Sequence, residues 1–363
     1  MRDAVQSLVV LTPAFPAEES ETHWVPSQQL LVRCLLERFP ATAITVIAFL
    51  LPSRVGIYDW HGATVYSFHG MGKRRLSHLM LWARVWRRLK MLRREKQLDG
   101  IFSFWCGECA LVGKYFGKRF GVPHYTWICG QDARPGNPLL RYIRPSAESL
   151  VSMSVFLTEE FYRNYGIRPV SLIPNGVCPK RFPMQRSRPR TIDILGVGSL
   201  ERQKQYEVFV TVVHALYGKL PHLKALHFGD GPERAALECI VEGLEMSHVL
   251  RFAGARSHEI ILGHMCHARI LLHPSAYEGY STVCLEALCA GAHVISFCHP
   301  GGGEIPRWHQ VGNADEMFRC ALALLEGKMK HDPVVVHTME ESADAVMRLF
   351  DPQPSTGKRA EGW

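Results

Sequence analysis

The sequence predicts an α/β protein built as two doubly wound domains, each a parallel sheet covered by helices. Short apolar runs alternate with amphipathic stretches along the whole chain, as parallel strands and their crossover helices do. A length of 363 residues exceeds one ordinary core and suits two units. Between them the stretch "CPKRFPMQRSRPRT", residues 178–191, crowds prolines and arginines and loses hydrophobic periodicity, as a linker does. The predicted division is a first domain over 1–182, a linker over 183–190 and a second domain over 191–338. A last helix over 339–350 and a disordered tail over 351–363 follow.

In the first unit, strands are predicted at "SLVVLT", "AITVIAF", "ATVYSF", "GIFSFW", "HYTWIC", "SLVSMS" and "VSLIPN". Helical segments such as "SQQLLVRCLLERF" and "EEFYRNYG" separate them. In the second unit, "TIDILGVG", "LKALHFGD", "VLRFAG", "RILLHPS" and "AHVISFC" predict strands, and a helical pattern follows each. Ligands of open parallel sheets bind at the carboxyl ends of strands, so two facing sheets predict a site in a central cleft.

Composition excludes several classes. With 47% hydrophobic and 21% charged residues the chain is globular, not disordered. No apolar run reaches the ~20 residues of a spanning helix, and the N-terminus lacks the basic start and long apolar core of a secretory signal. These features predict a cytoplasmic location. Eleven cysteines are scattered singly; the one close pair, Cys106 and Cys109, lacks a second pair at metal spacing and is predicted to be two buried thiols at a strand-to-helix turn. No metal ligand set and no bound cofactor is predicted.

The candidate chemistry lies in "HPSAYEGYSTVCLEALCAG", residues 273–291. A buried strand ends at Pro274 and Ser275, a loop carries Glu278, and Ser281 or Thr282 is a suitable N-cap for an apolar helix that stops at Gly291. Glu286 falls inside that helix among Leu285, Ala287 and Leu288, and a buried carboxylate needs partners. Two acceptor-only carboxylates beside free helix-start amides suit a ligand with both hydroxyls and phosphates, such as a nucleotide sugar. Two further glycine turns follow strands. "HFGDGPERAAL" places Gly229 and Asp230 before Pro232 at the expected first helical position, with backbone amides free for a phosphate. "LGVGSLERQK" leads through Gly198 to Lys204, without the third glycine and distant acid of a dinucleotide fingerprint, which disfavours NAD.

The segments "GVGSLERQK", "LKALHFGDGPERAAL", "VLRFAG", "HPSAYEGYSTVCLEALCAGAHVIS" and "GGGEI" resemble, in order and spacing, the family 4 glycosyltransferases, retaining enzymes of the GT-B fold. They cover residues 192–305; "IPNGVCPKRFP" and "GQDA" resemble the family more weakly. The resemblance implies two Rossmann-like domains facing a cleft, with the donor on the second. It implies transfer of a sugar, of the hexosyl type, from a nucleotide diphosphate to an acceptor hydroxyl, with retained configuration and no obligatory metal. Such an enzyme serves cell-surface glycan or glycolipid synthesis. Glu278 would face the reacting carbon, Lys204 would neutralise the leaving diphosphate, and Glu286 would hold the ribose hydroxyls. Backbone around Gly279, Tyr280, Ser281 and Thr282 would hold the distal phosphate, with Gly198, Ser199, Gly229 and Asp230 also at the donor.

The chain departs from the family at three places. Ser199 stands where an arginine is common, which shifts neutralisation onto Lys204 or Arg202; Cys129 stands where a histidine is common, with Asp132 as the candidate substitute; "GGGEI" is one residue short before Glu304. A sugar-nucleotide epimerase and a non-catalytic nucleotide-sugar binder are the alternatives.

The net charge of +8 is local. Between Lys73 and Lys96 stand ten Lys or Arg and one acid, Glu95, so this segment carries +9 and the rest about −1. Leu79, Trp82, Trp86, Leu89 and Arg93 follow helical steps, which predicts an amphipathic basic helix: a core helix with a charged outer side that could also dock on an anionic membrane surface. No nucleic-acid module surrounds it, so no specific nucleic acid is predicted.

Overall fold

The computed structural model describes residues 5–22, 25–70, 75–95, 97–183 and 189–351. Lys73, Arg74 and Lys96 of the basic segment, most of the predicted linker and the predicted tail from 352 onward lie outside the described residues.

The first domain is an eight-stranded sheet of β1 (Ser7–Ala14), β2 (Ala43–Leu51), β3 (Gly56–Trp60), β4 (Ala63–Ser67), β5 (Gly100–Phe104), β6 (His124–Ile128), β7 (Leu150–Ser152) and β8 (Ser171–Leu172). The strand order is β3-β4-β2-β1-β5-β6-β7-β8. Its helices are α1 (Pro26–Arg38), α2 (Arg75–Glu95), α3 (Glu108–Phe120), α4 (Gly130–Ala133), α5 (Leu140–Ile143) and α6 (Val155–Tyr165). Every pair is parallel except β3–β4, with Val9 of β1 opposite Thr45 on one side and Ile101 on the other. Helices cover both faces, so β5 is buried at all its positions and reads as a continuous apolar run.

The antiparallel β3 was not among the predicted strands. It is an edge strand that exposes Ile57 and Asp59, so it lacks the unbroken apolar run of its parallel neighbours. His61 and Gly62, both at positive φ, close its two-residue hairpin to β4.

The second domain is a six-stranded, wholly parallel sheet of β9 (Ile192–Val197), β10 (Ala225–Phe228), β11 (Leu250–Phe252), β12 (Ala268–His273), β13 (His293–Ser296) and β14 (Trp308–Gln310), in the order β11-β10-β9-β12-β13-β14. Its helices are α7 (Tyr206–Tyr217), α8 (Arg234–Gly243), α9 (His258–Met265), α10 (Thr282–Cys289) and α11 (Ala314–Glu326). The strand order reverses between β1 and β5 in the first sheet and between β9 and β12 in the second. Loops diverge at such points and leave a crevice.

Among the described residues the chain crosses between domains twice, and the two crossings run side by side: the Val177 amide donates to His337 O at 3.0 Å, and the Met339 amide to Val177 O at 2.9 Å. The second crossing continues as α12 (Met339–Arg348), which starts in a Thr338–Glu341 capping box. This helix buries Met339, Ala343 and Val346 in the first domain's core and pairs Asp344 with Arg38 of α1.

Helix α2 presents a different face from the predicted one. Leu81, Val85 and Leu89 pack beneath the sheet, while Leu79 is 55% exposed and Trp82 and Trp86 lie on the flank. The four-residue step through 81, 85 and 89 is the stripe the core takes up. Cys106 and Cys109 are both buried, and burial pushes both thiols well above their ordinary range. Among the described residues no helix is long and apolar enough to cross a membrane.

Candidate functional site

The second sheet's switch point supplies the centre of the site. The loop after β9 runs through Gly198 and Ser199 to a 3-10 turn, residues 202–204, and the loop after β12 runs from Pro274 to Ser281. The Ala276 amide donates to Gln203 O at 3.1 Å and ties the two loops together. As a result the Lys204 ammonium contacts Glu278 Oε1. The same oxygen lies 3.0 Å from Nε2 of His273, whose side chain is 1% exposed. Burial alone would push the Glu278 carboxyl up; the His273 hydrogen bond and the charges of His273 and Lys204 outweigh it and hold the group at about 2. Glu278 is therefore an ionised carboxylate, with the Lys204 side chain against it at the cleft.

Ser281 is the N-cap of α10, but its side chain makes no capping bond. The first amides of a helix have no intrahelical acceptor, so they remain donors facing outward from Ser281 and Thr282. Within α10, Glu286 is buried and its Oε1 lies 2.7 Å from His258 Nε2, at the start of α9. Its carboxylate thus has a partner on one oxygen, as burial requires.

The first domain closes over this loop. Ser27 Oγ at the start of α1 lies 2.9 Å from Thr282 Oγ1, Ser154 Oγ donates to Gly279 O at 2.6 Å, and Tyr277 Oη donates to Gly130 O at 3.0 Å. Gly130 and Gly279 meet so closely that a Cβ on Gly130 would stand 3.2 Å from the Gly279 amide nitrogen. Between the domains remains a cavity of about 270 Å3, lined by Lys204, Glu278, Trp105, Cys129, Arg134 and Asn175 among others, with Gly279 and Tyr280 at its wall.

Other predicted residues lie outside that lining. Gly198 has φ of 154°, and a Cβ there would stand 2.6 Å from Tyr206 Oη, so glycine is required for the loop to pass. Ser199 is half-buried on the same loop, and Arg202 is exposed on the 3-10 turn. Glu304 is exposed after the Gly301–Gly303 turn. Asp132 is buried and accepts from the Cys129 amide at 2.8 Å, capping α4. Burial pushes its carboxyl up to about 6, against the amides of Cys129 and Cys106, which lower it. It caps a short helix and does not face the cavity.

The glycine turn after β10 requires a correction. Helix α8 begins at Arg234, not at Pro232, and the amides expected to be free are taken: Gly229 donates to Gly254 O at 3.0 Å, Gly231 to Asp230 Oδ1 at 2.9 Å and Glu233 to Leu200 O at 3.0 Å. Asp230 is paired with Arg234 at 2.8 Å. The turn braces the Ser199–Leu200 loop because Leu200 packs directly against Gly231, whose missing side chain makes room for the Leu200 carbonyl.

Ser27, Asn175, His258 and His273 were not among the predicted residues. His273 adjoins Pro274 in the recognised motif and was visible there. Nothing local marks the other three, whose partners lie far along the chain.

The two-domain fold is shared with known proteins. Anabaena Alr3699/HepE, solved with UDP and glucose, superposes with a TM-score of 0.66 over 95% of this chain and 96% of that one, at 16% identity. Sucrose-phosphate synthase of Thermosynechococcus elongatus does so with 0.64 over 95% of each chain, also at 16%. The fold is therefore GT-B, the two-domain architecture of many glycosyltransferases. The second domain carries the more particular likeness: residues 180–313 match the family described as Glycosyl transferases group 1. Glycogen synthase of Mycobacterium tuberculosis is 28% identical over 192 residues, 50% of this chain and 45% of that one. The gpi3 subunit of phosphatidylinositol N-acetylglucosaminyltransferase of Schizosaccharomyces pombe is 25% identical over 203 residues, 54% and 44% of the two chains. The chain thus spans under half the length of these curated relatives.

Proposed function

We propose that the protein is a retaining glycosyltransferase that moves a hexosyl group from a nucleotide diphosphate sugar to an acceptor hydroxyl, without a metal ion. The observation that carries this reading is the Lys204–Glu278 pair in the wall of the cleft, next to the uncapped start of α10. An ionised carboxylate there can stabilise positive charge developing at the sugar's reacting carbon. Lys204 can meet the negative charge developing on the leaving diphosphate, and preorganised charge of this kind usually contributes more to catalysis than any other effect. The amides of Ser281 and Thr282 suit the distal phosphate, and the second oxygen of Glu286 suits the ribose hydroxyls. Closure of the first domain over the Tyr277–Thr282 loop excludes water from the reacting carbon.

The acceptor enters from the first domain, at Trp105, Cys129 and Arg134. The protein works on the cytoplasmic side of a membrane, held peripherally by α2, whose exposed arginines support attraction to an anionic surface.

The test is thermal stabilisation by UDP-, GDP- and ADP-sugars, followed by release of the matching nucleoside diphosphate and NMR of the product anomer. A bound ligand raises apparent stability by mass action, so one donor class should shift the melting temperature and then turn over with its anomeric configuration kept. If no donor stabilises the protein or is consumed, the reading fails; an inverted product would remove the retaining assignment alone.

A further inference from the structure

The first domain holds a second cavity that the proposed transfer leaves unused. It is a groove of about 960 Å3 between α2, α3 and residues 138–142, walled by Leu79, Trp82, Trp86, Leu111, Tyr115 and Tyr142. Tyr142 is 52% and Tyr115 46% exposed, beside the exposed Leu79. Leu111 belongs to the core and Trp82 and Trp86 pack half-buried against it, but the outward faces of Leu79, Tyr115 and Tyr142 have no such role, and α2 already buries Leu81, Val85 and Leu89 under the sheet. The apolar surface of α2 therefore extends past its core stripe through Trp82 and Trp86 to the exposed Leu79 and Ala83, further than burial under the sheet needs.

Four of the polar side chains at the groove, His78, Trp82, Glu108 and Tyr115, are engaged internally. Glu108 accepts from Trp82 Nε1 at 3.0 Å and lies 2.6 Å from His78 Nδ1, and Tyr115 Oη donates to Tyr142 O at 2.9 Å. What remains facing the groove is mostly hydrocarbon and ring surface. A hydroxyl-rich ligand would lose its hydrogen bonds there, whereas an alkyl chain would not.

Charge and position indicate which alkyl chain. The stripe of Leu79 and Ala83 continues in helical steps through Arg87, Lys90 and Arg94, all exposed and without an acidic partner among the described residues. Arg141 stands on the rim. The face that opens the groove is thus the face drawn to an anionic bilayer. The groove also adjoins the central cavity: Trp105 and Arg134 line the cavity, Glu108 and Pro138 line the groove, and the Asn137 Nδ2 bond to Cys106 O at 2.9 Å joins the two loops.

We infer that this groove seats the alkyl chain of a membrane-lipid acceptor, whose hydroxylated head reaches the central cavity. The word acceptor rests on the transferase reading; the seating of a chain does not.

The experiment titrates the full-length protein with cis-parinaric acid, a fluorescent fatty acid, below its micelle concentration. The expected result is saturable binding of one equivalent with quenching of tryptophan emission. Ala83→Trp fills the groove from an exposed position and should weaken binding at least tenfold without moving the melting temperature, and Leu79→Asp should do the same. Both variants should keep the wild-type thermal response to nucleotide sugars and still sediment with phosphatidylglycerol vesicles at low salt. Absence of saturable binding, or equal binding by both variants, overturns the inference. Loss of the nucleotide-sugar response in the wild type would remove the transferase reading and with it the acceptor role, while parinaric binding would still report on the groove.

Discussion

His273 Nε2 and Glu278 Oε1 lie 3.0 Å apart, so the end of β12 and the loop that follows it are joined at a carboxylate that lines the cleft. The Glu278 carboxyl drops from an ordinary 4.5 to about 2 on folding. A depressed folded value means that the unfolded chain binds the proton first as pH falls. The stabilisation is therefore present above pH 4.5 and lost between about 4.5 and 2, and it amounts to about 3 kcal/mol. Urea unfolding of wild type and Glu278→Gln across this window should show their difference shrinking toward acid. A difference independent of pH would refute the pairing as the source.

Lys204→Ala should lower turnover by about a hundredfold or more with a smaller change in donor affinity, because the proposed transfer needs its charge most as the diphosphate leaves. Glu278 keeps His273 as a partner in that variant, so the fold should persist. Glu278→Gln should lower turnover comparably. Steady-state kinetics on the donor found by thermal screening measures both, and full activity in either variant would remove that residue from the proposed mechanism.

Asp132 titrates in the opposite sense. Its carboxyl rises from 3.8 to about 6 on burial, so the folded state holds its proton longer and stability falls as pH rises through that interval. Asp132→Asn cannot ionise. Relative to wild type it should gain about 3 kcal/mol between pH 3.8 and pH 7, whatever constant cost the lost amide bond imposes. Denaturation curves at the two pH values give this change directly.

Gly198→Ala should destabilise by about 2 kcal/mol or more, since its φ is unfavourable for a side chain and its Cβ would strike Tyr206 Oη. The Tyr206 hydroxyl is buried with no hydrogen-bond partner among the described residues. Tyr206→Phe alone should be neutral or stabilise by about 1 kcal/mol, and combined with Gly198→Ala it should recover part of the loss. A strictly additive double-mutant cycle would show that the contact does not exist.

Gly130→Ala tests closure. A methyl group there meets the backbone of Gly279 across the cleft, and backbone cannot rotate aside. Turnover should fall about tenfold or more while the first domain keeps its stability, because small misplacements of reacting groups are costly. Unchanged turnover would mean that this contact does not set the working geometry.

By itself the sequence determined the two doubly wound units, because strands buried on both faces, such as β5, read as near-continuous apolar runs. It also determined the eight-residue spacing of Glu278 and Glu286 across a helix start. An edge strand such as β3 escaped because one side faces water and its pattern follows no single rule. Only the tertiary structure decided that the amides of Gly229 and Gly231 are consumed, that Glu286 meets His258 and that Thr282 meets Ser27. The physical reason is that a hydrogen bond is met by whichever group folding brings within 3 Å, and for Ser27 and Thr282 that group lies on the opposite domain.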